Sequence, residues 1–147
     1  MVNAVTDKNK IIDLWQEAFG DSREEILYFI DNLKNGKCIG ILKNDELASM
    51  FFLVKCNFGN YIYAACTRKK HRGGGYMTEL LDYAKSDESP LCLIPASDSL
   101  VDFYYKRGFT KRARIEDIRF DECDGIKEYL LEGYSLTDPQ AMIYKEV

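Results

Sequence analysis

One stretch constrains this chain more than any other: Thr67-Arg68-Lys69-Lys70-His71-Arg72-Gly73-Gly74-Gly75-Tyr76-Met77, a basic, glycine-rich segment set between two patterned runs. Upstream, Tyr61 to Cys66 reads as a strand. Downstream, Met77, Leu80, Leu81 and Ala84 recur at the spacing of one helix face, and Leu91-Cys92-Leu93-Ile94 is a short apolar run of the kind that forms a buried strand. Two strands joined by a crossover helix lie parallel and connect right-handedly. The segment therefore predicts a β-loop-α-β unit, with a site at the carboxyl ends of neighbouring strands.

The remaining patterns fit around that unit. Ile11, Leu14, Trp15 and Ala18 predict a first helix, with Thr6 or Asp7 as cap and Gly20 as stop. Ile26, Phe29, Ile30 and Leu33 predict a second, opened by Ser22 with Glu24 and Glu25 in its first turn and ending near Gly36. Extended runs from Lys37 to Leu42, Leu47 to Phe58 and Tyr61 to Cys66, separated by turns at 43–46 and 59–60, predict an antiparallel meander. Ser97 or Asp98 can cap a helix carrying Leu100, Val101 and Tyr104, stopped by Gly108 and followed by a β-rich tail from Thr110 to Phe120. Ile126 to Leu131 reads as a short helix and Ala141 to Lys145 as a closing strand. The fold class expected is α/β (α+β): one domain over residues 1–147, a mixed central sheet and helices on both faces.

Composition removes several function classes. A chain of 147 residues has room for one ordinary core. Its net charge of −4 argues against nucleic-acid binding, which needs an excess of Lys and Arg. No apolar run approaches membrane-spanning length and no export signal opens the chain, so a cytoplasmic protein with no membrane partner is expected. The cysteines Cys38, Cys56, Cys66, Cys92 and Cys123 are odd in number and hold no C-x-x-C pair, so neither a disulfide framework nor a metal site is expected.

The basic loop has the makings of an anion site. Where a strand gives way to a helix, the free N–H groups of the first turn and the helix macrodipole favour negative charge, and glycines let the backbone come close to a phosphate. Arg68, Lys69, Lys70 and Arg72 add local positive charge. The loop is not a P-loop, because no Lys-Ser/Thr pair follows the glycines, and position 78 is Thr where a dinucleotide fingerprint has its third Gly.

Arg72-Gly73-Gly74-Gly75 resembles the R-G-x-G core of the pyrophosphate loop of the GNAT acetyltransferases, whose longer form is R/Q-x-x-G-x-G/A. Lys70 stands where that form has Arg or Gln, keeping the charge. A second block, Leu93-Ile94-Pro95-Ala96 with Leu100, Phe103-Tyr104 and Gly108-Phe109, resembles the family's fifth strand and following helix, and Leu14 to Asp21 is similar to the opening helix of a bacterial subgroup. The resemblance implies acetyl-CoA as acyl donor, transferred directly to an amine: a small molecule, a peptide N-terminus or a lysine. It implies that the amides of Arg72, Gly73, Gly74, Gly75, Tyr76 and Met77 hold the pyrophosphate, with Lys70 and His71 as further cofactor-binding positions. Ala65, Cys66 and Thr67 would run beside the pantetheine and supply an oxyanion site, and Tyr104 would serve as general acid. Ser97 replaces the Asn that many members use to hold the pantetheine. Cys66 and Cys92 read as buried thiols rather than nucleophiles, His71 as an exposed neighbour of phosphate, and Asp98, Asp102 and Glu17 as cap or surface carboxylates, so no base is assigned. A catalytically inactive CoA-binding module is the alternative, and a small domain gripping acidic protein or RNA is a weaker third reading. A homodimer is compatible with the sequence.

Overall fold

The computed structural model describes residues 1–86 and 89–145. The chain opens with β1 (Val2–Val5), α1 (Lys8–Phe19) and α2 (Arg23–Asn32). The meander is β2 (Gly36–Lys43), β3 (Glu46–Cys56) and β4 (Gly59–Thr67). The crossover unit follows as α3 (Tyr76–Lys85) and β5 (Leu91–Leu93), then α4 (Asp98–Tyr105), β6 (Lys111–Ala113), α5 (Asp124–Leu130) and β7 (Ala141–Tyr144). Among the described residues the strands form one seven-stranded sheet in the order β1-β2-β3-β4-β5-β7-β6. Among the strands of the described residues, β4 and β5 are the one pair that runs parallel, as the crossover helix requires.

Two apolar layers cover the sheet. On one face Trp15 of α1, Ile26 and Phe29 of α2 and Ile126 of α5 pack on Met50, Phe52, Val54 and Tyr61. On the other, Leu80, Leu81 and Ala84 of α3 and Tyr104 of α4 pack on Ile39, Phe51, Leu53, Ile62 and Leu93. The strand residues alternate between the layers, the period-two pattern expected of a sheet buried on both sides. No helix among the described residues is long and apolar enough to cross a membrane.

Several boundaries move from their predicted places, each through contacts distant in sequence. The β1 strand, unread in the sequence, forms because β2 offers it an edge, with Ala4 opposite Ile39. The second helix ends at Asn32 rather than near Gly36, because the buried carboxylate of Glu122 accepts the N–H groups of Lys34 at 2.7 Å and Asn35 at 2.8 Å. The second hairpin turns at Asn57-Phe58 rather than 59–60: Asn57 is pinned by its side chain to the backbone of Asp117 and Arg119, and Asn60 pairs with Lys55 inside the ladder. The tail from Thr110 is strand only over Lys111–Ala113, followed by a 3₁₀ turn at Ile115–Asp117 and an isolated bridge from Phe120 to Cys56. The closing strand inserts between β5 and β6.

Candidate functional site

The parallel strands β4 and β5 pair only at Asn60–Leu91 and Tyr61–Cys92. Beyond that point β4 continues for six residues to Thr67 with no strand partner on its β5 side among the described residues, so the sheet opens into a cleft. A bulge sits at the same place. Met50 of β3 faces Cys66 and Phe52 faces Tyr63, so Ala64 and Ala65 together oppose Phe51. Ala64 takes φ 57°, the left-handed region that a non-glycine residue enters at a cost of roughly 1–2 kcal/mol. The extra residue turns the strand's outer edge, and its backbone amides there go unclaimed by a ladder.

The cleft holds a cavity of about 350 Å³, lined by β4 from Tyr61 to Ala65, by Leu93, Ile94 and Ala96 after β5, by Leu100 and Tyr104 of α4, by Trp15, Phe19 and Asp21 around the end of α1, and by Glu132, Gly133 and Tyr134. The last three belong to the connection between α5 and β7. That segment is tied to the start of α4: Ser135 donates its N–H to Ala96 at 2.8 Å, and Thr137 donates N–H and hydroxyl to Asp98 at 3.0 and 2.6 Å. Those two bonds hold the Asp98 carboxyl below its usual range, the side-chain bond contributing most.

Tyr104 is 7% exposed, and its hydroxyl makes no hydrogen bond among the described residues. No buried side-chain oxygen among the described residues is both sealed and unpartnered, so this hydroxyl faces the open cavity. Burial pushes its phenol up to about 12, with Arg107 pulling weakly the other way. It therefore stays protonated at neutral pH. Tyr105, one position on, is 52% exposed and points elsewhere.

Past the end of β4 the basic loop makes a 3₁₀ turn over Lys69–His71 and reaches α3 through Gly73 and Gly75, at φ 85° and 79°. Gly75 caps α3 without a side chain, and the first helical bond runs from Glu79 to Gly75. The backbone N–H groups of Gly73, Gly74, Gly75, Tyr76, Met77 and Thr78 consequently have no partner among the described residues. Six consecutive free donors at a helix start are an arrangement that suits an anion.

The loop's cations are arranged differently from the sequence expectation. Arg68 is a buried anchor: it reaches Asp13 at 2.8 Å, Glu17 at 3.3 Å, Glu46 at 3.3 Å and the Leu47 carbonyl at 3.0 Å. Lys70 and His71 also converge on Glu46, at 2.9 and 3.3 Å. That company, Lys70 first, holds the Glu46 carboxyl below its usual range. Much of the local charge is thus neutralised, and the amides carry more of the anion-binding capacity than composition suggested. Lys69 and Arg72 pair with no carboxylate among the described residues.

The other sequence candidates divide. Ala65 and Tyr104 line the cavity together. Cys66 lies beside them in sequence, but its thiol is buried in the layer under α1 and pushed up to about 12, chiefly by burial. Thr67 shares its hydroxyl with Ser49 at 2.8 Å, and Met77 packs in the layer under α3. Ser97 does not line the cavity; its hydroxyl meets Ser99 at 2.9 Å and makes no capping bond. Glu17 serves Arg68 and the Lys69 N–H, while Asp102 pairs with Lys106. Sequence reading missed Asp21, Tyr63, Glu132 and Tyr134, which no motif marks and only the tertiary fold assembles.

The family model for the acetyltransferase (GNAT) domain matches residues 4–112. No curated protein matches the chain. Among solved structures, an acetyltransferase of Corynebacterium glutamicum described as histone acetyltransferase HPA2 and related acetyltransferase aligns at 17% identity over 100% of this chain and 96% of its own, with a TM-score of 0.70. A GNAT family acetyltransferase of Elizabethkingia anophelis with acetyl-CoA bound aligns at 19% identity over 99% and 97%, TM-score 0.65. The Bacillus subtilis N-acetyltransferase YlbP, in complex with coenzyme A, aligns at 14% identity over 99% and 96%, TM-score 0.65. At these identities the likeness is one of fold.

Proposed function

The chain belongs to the GNAT family of acetyltransferases, and from that premise we propose that it moves an acetyl group from acetyl-CoA directly to an amine, both substrates being bound at once. The observation that carries this reading is the joining of two features at the end of β4. The run of free amides from Gly73 to Thr78 suits a pyrophosphate, and the cleft with its unpartnered Tyr104 hydroxyl suits a reacting thioester. Two related structures hold coenzyme A or acetyl-CoA, which supports the same donor here.

In this reading the loop amides grip the diphosphate, and the thioester arm lies along the unpaired edge of β4 past Ala64, Ala65, Cys66 and Thr67. An edge amide at the bulge takes the oxygen that becomes negative as the amine adds to the carbonyl. The added nitrogen gives up a proton to solvent, the carbon–sulfur bond breaks, and the departing thiolate needs a proton or a hydrogen bond. Tyr104 supplies it. A phenol at about 12 is a weaker acid than an ordinary thiol near 8.5, so its part is to hydrogen-bond the thiolate as solvent protonates it, rather than to surrender its own proton outright. Positioning and polarity do the rest, and no covalent enzyme intermediate is involved.

The test is acceptor-dependent release of free CoA from acetyl-CoA by the purified protein, measured for wild type, Tyr104→Phe and Tyr105→Phe. Tyr104→Phe removes one donor to the developing charge and should lower kcat by roughly 100-fold or more while CoA affinity changes little. Tyr105→Phe should be nearly silent. If CoA binds tightly yet a wide panel of amines and peptide N-termini releases none, the protein is a binding module and the enzyme reading fails.

A further inference from the structure

Continuous with the thioester cavity lies a second groove of about 300 Å³, lined by Asp21, Glu25, Tyr63, Glu128, Tyr129, Glu132 and Gly133. Asp21, Tyr63, Glu132 and Gly133 line both spaces, so an occupant of one can extend into the other. We propose that the acetyl acceptor is a linear aliphatic di- or polyamine, reacting through one amine in the cavity and holding a second ammonium group among these carboxylates. The inference rests on the acetyltransferase reading above and names the substrate class for that site.

Charge is the first reason. Four carboxylates line the groove, no Lys, Arg or His does, and none of the four forms an ion pair among the described residues. Glu25 gives one oxygen to the Ser22 N–H, and Asp21 accepts the Trp15 indole N–H at 2.7 Å, which fixes its carboxylate at the junction of the two spaces. Glu128 and Glu132 are exposed, and their carboxylates make no hydrogen bond among the described residues. Around the basic loop, by contrast, Asp13, Glu17 and Glu46 all serve Arg68. Here the negative charge is left for something else.

The second reason is independent of the acids. Tyr104, more than nine-tenths buried, aims an unpartnered hydroxyl into the same cavity that Asp21 and Glu132 line, so the space is arranged around a ligand. The half-buried Tyr63 hydroxyl likewise has no partner among the described residues; burial, then Asp21, push its phenol upward, leaving it a donor beside the carboxylates. Between these polar points the walls are rings, Trp15, Phe19, Tyr63 and Tyr129. Methylene chains lie well on such walls, and ammonium groups are attracted to ring faces. A peptide acceptor would favour an open strand edge for main-chain bonds. The open edge of β4 is taken by the thioester arm in the reading above, and the groove itself is lined by Tyr63, by the start of α2 and the end of α5, and by the segment after α5.

The experiment compares kcat/KM for diaminobutane and butylamine, which differ by one ammonium group, and measures diaminobutane binding to the CoA-loaded protein by calorimetry. Diaminobutane should be preferred about fivefold or more, the scale of one or two partly exposed ion pairs, and its binding should weaken with added salt. The double variant Glu128→Gln, Glu132→Gln removes two exposed charges that form no ion pair among the described residues and should collapse the preference; Glu116→Gln, which lines neither space, should not. Equal turnover of the two amines, unaltered by the double variant, overturns the inference and leaves acetyl transfer standing. Diaminobutane that binds through these glutamates yet is never acetylated upholds the groove and sinks the transfer reading. A lysine peptide used better than diaminobutane overturns the small-polyamine class.

Discussion

Replacing Gly75 by alanine separates the strain of a loop from the room it leaves. Gly75 sits at φ 79°, ψ 12°, and a Cβ placed there meets no protein atom within 4 Å. The folding cost is therefore that of forcing a non-glycine residue into the left-handed region, about 1–2 kcal/mol. In a protein of this size that lowers Tm by about 3–8 °C. Gly20, at the end of α1, is a matched control: φ 75°, ψ 9°, and again nothing within 4 Å. Gly20→Ala should cost the same stability. Only Gly75→Ala also places a methyl group among the free amides where the diphosphate would lie, so CoA affinity should fall roughly tenfold or more there and not in the control. Gly75→Asp adds a like charge; at about 4 Å it opposes a phosphate by about 1–4 kcal/mol, a further fivefold to several-hundred-fold loss. Thermal melts without ligand give the first quantity and isothermal calorimetry with CoA the second. Unchanged affinity in both Gly75 variants, or equal loss in Gly20→Ala, would refute the placement of the pyrophosphate.

Two further outcomes follow from the titration behaviour of the site. Acceptor turnover should rise with pH as the bound amine loses its proton, with no alkaline fall below about pH 10, because Tyr104 at about 12 keeps its proton there. Its raised value favours the folded state below about pH 10 and loses that contribution as pH climbs through 12, so melts should weaken in that window. A falling limb near pH 9 that Tyr104→Phe abolishes would contradict this. Cys66→Ala should retain intersecting double-reciprocal plots, since the thiol is protonated and turned into the layer under α1; parallel lines would instead indicate an acyl-cysteine.

Local patterning and chain connectivity were enough to place most of the elements. The apolar spacing of Ile11, Leu14 and Trp15 and of Leu80, Leu81 and Ala84 marks helices that do bury those faces, and the crossover helix dictates the parallel pairing of β4 with β5. The glycine loop and Tyr104 were legible because each depends on a short run of residues: the loop's free amides arise at the strand–helix junction itself, and the hydroxyl's direction follows from its place on α4. What needed the tertiary structure was everything set by partners far along the chain. The end of α2 is decided by Glu122, the bulge at Ala64 by the β3 register, and the quieting of Lys70 and Arg68 by Glu46, Asp13 and Glu17. The acidic groove is the clearest case. Asp21, Glu25, Glu128 and Glu132 look like ordinary surface charges in sequence, and they become one site only because α5 packs on α2 and carries the segment after it across the mouth of the cleft. Helical and strand periodicity are local energies that a chain displays directly, whereas the electrostatic character of a pocket is a sum over neighbours that exists only after folding has chosen them.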